Sequence, residues 1–223
     1  MTDFAVQRQN MVESQVRPNG ITDARVIDAM AAVPRELFVP EERRSLAYMD
    51  EDVLVAITPD GGRRWLMEPM TFARLLQLAG IGPGEVVLDV GCATAYSAAV
   101  IAALAESVIA VEEDRVLAEE ANRLLGDLGI TNAAVVNVPH ATGLPGEAPF
   151  DVIFINGRVP SLPRALMEQL KDGGRLVAVV GETAVAPALV CTRHGETFSS
   201  RAQFDSSIAA LPGFPPPARG FVF

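Results

Sequence analysis

The sequence predicts an α/β fold with a doubly wound parallel sheet. A helical stretch precedes the sheet and antiparallel strands close it. Three observations carry this. From Glu68 onward, short apolar runs alternate with helix-length segments, the signature of βαβ units. A strand-to-helix turn of small residues, Asp89 to Tyr96, is followed about twenty residues on by an acid, Glu112. The stretch from Leu189 to Ile208 alternates in polarity, as edge strands do.

Each element has a local cause. Phe4, Met11, Val12 and Val16 recur at near-helical spacing as far as Pro18. A second helix is expected over Thr22 to Ala32, with Thr22 as N-cap and Pro34 preventing its continuation. The segment Val33 to Pro40 is proline-bounded and too short for a long helix, and Asp60-Gly61-Gly62 is a turn signal. Pro69 to Ala79 reads as a helix with proline in its first turn, ended by Gly80. Strands are expected at Val86 to Val90, Val108 to Val111, Ala133 to Val136, Phe150 to Ile155 and Gly174 to Val180. Between them, helices are expected over residues 94 to 105, from an Asp114 cap to about Leu128, and over Ser161 to Leu170. The chain divides into a helical extension, residues 1–66, and a sheet domain with its terminal strands and irregular proline-rich tail, residues 67–223, packed as one unit.

Composition narrows the function. The 223 residues carry 18 basic and 28 acidic side chains, a net charge of −10, which opposes a nucleic-acid or anionic-membrane partner. No uncharged apolar run is long enough to span a bilayer, and MTDFAVQRQN lacks the basic-then-apolar order of a signal peptide, so the cytoplasm is the expected compartment. Cys92 and Cys191 read as free thiols, and with only two His no zinc-type spacing can be built.

In a doubly wound sheet the functional loops lie at the carboxyl ends of the strands. Gly91 to Ala95 lets a ligand approach backbone N–H groups at a helix N-terminus, although Ala93 and Ala95 stand where a glycine-rich loop has glycine. Glu112 can accept hydrogen bonds from both hydroxyls of a ribose. Together these point to a nucleoside-type cofactor, and the residues leave a dinucleotide and S-adenosylmethionine equally open.

A resemblance goes further. Met11 to Val16, Val26 to Met30, Val33 to Pro40, Ala47-Tyr48 and Asp50 resemble the protein-L-isoaspartate O-methyltransferase family. So do Val87 to Gly91, Tyr96, Ala98 to Val100, Glu112, Gly143 to Pro145, Ala148 to Asp151, Val159-Pro160 and Gly173 to Val177. The resemblance implies a Rossmann-like class I methyltransferase using S-adenosylmethionine. It implies a protein or peptide partner in which the carboxylate of an isoaspartyl residue is methylated for repair. The cofactor-side candidates it implies are Asp89, Gly91, Cys92, Ala93, Tyr96, Glu112, Glu113, His140 and Ala141. On the substrate side stand Met67 and Glu68, with Asn156 at the sheet's carboxyl edge.

The chain departs from the family pattern at these positions. Leu66-Met67-Glu68-Pro69 replaces Ile-Ser-Gln-Pro, so a thioether, which donates no hydrogen bond, stands at the clamp serine, and Glu68 replaces an amide. One lost donor to a buried carboxylate costs about 1.5–3 kcal/mol. Arg63 and Arg64 lie nearby and read either as cations that compensate for the lost donor or, more often for such arginines, as solvated loop residues. Val138-Pro139 replaces the Gly-Asp that reads adenine, and His140 reads either as an adenine contact or as an exposed loop histidine. Cys92 reads either as a thiol activated by a helix N-terminus or as a small packed residue. Two alternatives stay open: a methyltransferase with a neutral or basic acceptor, or a catalytically degenerate fold serving as a binding module.

Overall fold

The computed structural model describes residues 3–59 and 61–215. The N-terminal part begins with α1 (Phe4–Met11), capped by Asp3, and continues through a π turn to Val16. Helix α2 (Ala24–Ala32) starts later than the sequence suggests. Asp23, not Thr22, is its N-cap and accepts from the Arg25 N–H at 2.9 Å. The Thr22 N–H is committed instead to Gln77 Oε1, at 2.7 Å, which ties this segment to the next helix.

A hairpin that the sequence does not announce comes next in the chain. Strands β1 (Val53–Ile57) and β2 (Arg63–Leu66) pair antiparallel, Val53 opposite Leu66. Gly61 and Gly62 of the expected turn lie between them, and Asp60 lies outside the described residues. In β2, Arg64 and Leu66 face inward while Arg63 is exposed.

The described strands of the main sheet run in the order β5-β4-β3-β6-β7-β8-β9. They are β3 (Val86–Val90), β4 (Ser107–Glu112), β5 (Ala133–Asn137), β6 (Phe150–Val159), β7 (Leu170–Val180), β8 (Ala186–His194) and β9 (Thr197–Ser206). Pairings from β5 to β7 are parallel, and β8 and β9 are antiparallel at the edge, as the alternating terminal stretch predicts. Helices α3 (Pro69–Ala79), α4 (Tyr96–Ala102), α5 (Arg115–Asp127) and α6 (Arg164–Met167) connect them. Asp114 caps α5 through the Leu117 N–H at 2.9 Å, as expected.

Two helices are shorter than expected. α4 begins only at Tyr96 because Ala95 is left-handed at φ 71°. α6 is a single turn, and Leu170 already pairs with Phe150. Gln169 explains that early exit. Its side chain donates to Thr142 O and Ala165 O and accepts from the Leu144 N–H, so it bridges two loops instead of extending a helix.

An aromatic cluster welds the N-terminal part to the sheet domain. Phe38 and Phe72 meet Tyr96 with ring centroids 5.6 Å and 5.5 Å apart, and Phe72 meets Phe154 edge-on at 5.8 Å. All are essentially inaccessible, so each contributes about 1.5–3 kcal/mol of burial. Chain direction splits at β3, with β4 on one side and β6 on the other, and the crevice above their carboxyl ends is the switch point of the sheet. No described helix is long and apolar enough to cross a membrane.

Candidate functional site

The turn after β3 forms the floor. The Gly91 N–H donates to Val111 O at 2.8 Å, and Gly91 is left-handed at φ 78°. A Cβ there would lie 2.5 Å from Leu211, so glycine is required by space as well as by conformation. Ala93 and Ala95 keep positive φ, 49° and 71°, without glycine's freedom. The conformation of a glycine loop is retained at a cost of roughly 1–2 kcal/mol per alanine.

Beneath the turn, Asp89 is fully buried. It accepts from Ser97 Oγ at 2.7 Å and from Asn156 Nδ2. Burial pushes its carboxyl up to about 7, against the pull of those two donors. Asp89 therefore braces β3, α4 and β6 and does not face an open space. Tyr96 lies beside the Arg35 guanidinium, 4.8 Å from its ring centroid. Cys92 is 2% exposed, and burial pushes its thiol well above the ordinary range. The packed reading holds for Cys92 and the activated reading does not.

Glu112, at the end of β4, is completely buried and fully engaged. Oε2 accepts from Arg64 at 2.5 Å and from the Ala93 N–H at 2.9 Å. Oε1 accepts from the Asp114 N–H at 3.1 Å and faces His140 Nε2 at 3.4 Å. Burial alone would raise its carboxyl, but His140 and Arg64 outweigh burial and hold it near 2. Arg64 corrects the sequence reading, since it is 3% exposed and not a solvated loop residue. Pairing with a partner 48 positions away gives no local signal. Alternation outward from the 60–62 turn would have placed Arg64 on the inner face with Leu66.

His140 is fully buried, which excludes its reading as an exposed loop residue. It accepts from the Glu113 N–H through Nε2 at 3.2 Å, and its Nδ1 lies 3.0 Å from Pro212 O and 3.3 Å from Glu113. Ala141 lies in the same short turn, His140–Thr142. The segment after β9 covers this corner. The Arg158 N–H donates to Ala209 O and the Leu211 N–H to Arg158 O, both at 2.9 Å.

On the facing side, Met67 is buried and its carbonyl accepts from Arg35 at 2.7 Å. The Glu68 N–H donates to Asp52 at 2.9 Å, and the Glu68 carboxylate accepts from Thr71. Burial raises Glu68 above its ordinary value, with Asp52, Asp50 and Glu51 adding to the rise against the Thr71 bond. Arg35, fully buried, and Asp52, partly buried, are polar groups to which the sequence reading gave no role. Asp52 also accepts from the Ala209 N–H at 2.8 Å, so it joins the hairpin, α3 and the C-terminal segment.

These residues fit a nucleoside in kind but not in space. The cavity between Trp65, Met67, Gly91, Cys92 and Asn156 is about 10 Å³, room for one water. Three donors, Arg64 and the Ala93 and Asp114 N–H groups, already occupy Glu112, so a ribose diol has at most one free acceptor position there. As placed, the cavity beside Gly91 is smaller than an adenosyl group. A larger cleft, about 470 Å³, lies away from this corner, between Phe38 to Pro40 and the face of α5 that carries Leu117 and Leu124. It meets the turn after β3 only at Thr94, whose hydroxyl is spent on Phe38 O.

Comparison with known proteins gives a consistent pattern. The family model for protein-L-isoaspartate(D-aspartate) O-methyltransferase matches residues 6–206. The chain is 40% identical to a protein-L-isoaspartate O-methyltransferase of Koribacter versatilis, over 81% of this chain and 79% of that one. It is 38% identical to one from a Roseiflexus species, over 95% and 94%. Among solved structures, a protein-L-isoaspartate O-methyltransferase superposes with TM-score 0.81 at 25% identity, covering 92% of this chain and 66% of that one. A Plasmodium falciparum protein described as a putative enzyme of this kind, in complex with S-adenosyl-L-homocysteine, superposes at 0.75 and 19% identity over 95% and 99% of the chains, and supports the fold alone.

Proposed function

Because the chain belongs to the protein-L-isoaspartate(D-aspartate) O-methyltransferase family, we propose that it methylates the carboxylate of isoaspartyl residues in damaged proteins, with S-adenosylmethionine as methyl donor. The observation that carries this reading is Glu112. An ionised acid stands at the end of β4 beside the Gly91 turn, on a chain whose family match runs almost end to end. The acceptor carboxylate is ionised at neutral pH and needs no general base, so a site without a catalytic dyad suits the reaction. What this chain supplies is positioning and a dry pocket. The partner is a protein or peptide, and a net charge of −10 opposes binding to nucleic acid or to an anionic membrane surface. Tritium transfer from methyl-labelled S-adenosylmethionine to an isoaspartyl peptide, read as base-labile methanol, tests it. Counts above a heat-killed control are expected, and counts equal to that control would refute the reading.

The closure of the pocket favours one second reading, a binding module that has lost its cofactor. Calorimetric titration with S-adenosylhomocysteine separates the two. Binding supports the enzyme, and silence up to millimolar ligand supports the module.

A further inference from the structure

We infer that residues 208–214 form an intramolecular plug, seated along the cofactor corner, which a nucleoside ligand must displace before it can enter. The inference rests on the reading of Gly91, Glu112 and His140 as the cofactor side of a methyltransferase. It accounts for the lack of space beside Gly91.

Three consecutive residues after β9 each meet a different part of that corner. The Leu211 side chain lies directly on Gly91, where an added Cβ would stand 2.5 Å from it. Pro212 O lies 3.0 Å from His140 Nδ1. Because His140 Nε2 accepts from the Glu113 N–H, Nδ1 carries the proton and donates to Pro212 O. Gly213 lies against Glu113, and an added Cβ would collide with that carboxylate. On its other side Leu211 meets Gly157 of β6, where an added Cβ would stand 2.9 Å from Leu211 Cβ. Leu211 therefore fills a slot between two glycines, one after β3 and one in β6, at the switch point of the sheet. A ligand has room there only when Leu211 is out of the slot.

The seat is built for release. Within 208–214 the buried side chains are Ile208 and Leu211, while Ala210 and Gly213 are exposed. The segment joins the sheet through an isolated bridge, Arg158 opposite Ala210, and not through a ladder. Its backbone is held by Asp52, which accepts from the Ala209 N–H, by the Arg158 main chain and by His140. A segment with so few buried groups opens at lower cost than the sheet it lies on. While it is seated, the apparent affinity for a ligand of this corner is reduced to the fraction of molecules in which it has lifted. A weaker seat then means tighter apparent binding.

The test uses the full chain, S-adenosylhomocysteine as the probe and calorimetry as the readout. Leu211→Asn removes the apolar grip between the two glycines. Gly213→Val weakens the far end of the seat, because Gly213 has φ 88° and a β-branched side chain there is strained and meets Glu113. Each variant is expected to bind at least about tenfold tighter than the parent. In the parent, amide hydrogen exchange across 208–214 is expected to quicken when ligand is added to saturation, because the Leu211 N–H leaves Arg158 O. Parental affinity in both variants, or exchange across 208–214 slowed by bound ligand, overturns the proposal and leaves the methyltransferase reading standing. The segment would then be a lid over the ligand or plain packing. No binding to the parent or to either variant up to millimolar ligand, with all three melting cooperatively, overturns the proposal together with the reading of this corner as a cofactor site. If neither variant melts cooperatively, exchange in the parent decides alone. Quickening then supports the plug, and slowing or no change overturns it.

Discussion

Replacing Glu112 by Gln should unsettle the fold far more than the loss of one charge suggests. Glu112 is wholly buried and Arg64 is 3% exposed. The substitution keeps the shape but leaves an uncompensated guanidinium inside the protein. Breaking a buried pair from one side typically costs about 3–5 kcal/mol, because the abandoned charge keeps its desolvation penalty. For a chain of this size each kcal/mol moves Tm by about 2–4 °C, so a fall of roughly 6–20 °C is expected. The double variant Arg64→Met/Glu112→Gln removes both charges and should recover most of that loss. Urea denaturation of the parent, both single variants and the double variant gives the coupling directly. A cost below about 1 kcal/mol for Glu112→Gln, or additive losses in the cycle, would show that the pair is not the buried, mutually dependent unit described.

Two further consequences concern the turn and its base. The Asp89 carboxyl is raised from 3.8 to about 7 in the folded protein, so the folded state holds a proton that the unfolded state has lost. Stability should therefore fall as pH rises through this window, with the penalty complete above about 7. At about 1.36 kcal/mol per unit, the parent should lose roughly 3 kcal/mol between pH 5 and 8 relative to Asp89→Asn, measured by chemical denaturation, and parallel curves would contradict this. Ala93, at φ 49°, should tolerate glycine within about 1 kcal/mol, because relieved strain is offset by a lost buried methyl and added chain entropy. Ala93→Val, β-branched in a left-handed position, should instead cost more than about 2 kcal/mol, and a parental melting temperature for Val would refute the assigned conformation.

Much of the fold was legible in the sequence where one local rule decides. The parallel strands came from short apolar runs alternating with helix-length segments, α5 from its Asp114 cap, and the edge strands from alternation. The functional corner was legible in part. Glu112 was located by its spacing from Gly91, and Ala93 and Ala95, which stand where a glycine-rich loop has glycine, both have positive φ. What escaped depends on contacts distant in sequence. Arg64 reads as solvated because arginines usually are, and nothing near it announces Glu112. The hairpin escaped because its strands are short and β2 begins with two arginines. α6 was overextended because Gln169 fits a helix locally but is spent on Thr142 and Leu144 across the loop.

A crystal structure of the protein with S-adenosylhomocysteine would test the site most directly. The expected result is a ribose diol on Glu112, with the Arg64 guanidinium displaced from that carboxylate to free its oxygen. Ligand absent from saturated crystals, or bound elsewhere while Arg64 stays on Glu112, would contradict the assignment of this corner as the cofactor site.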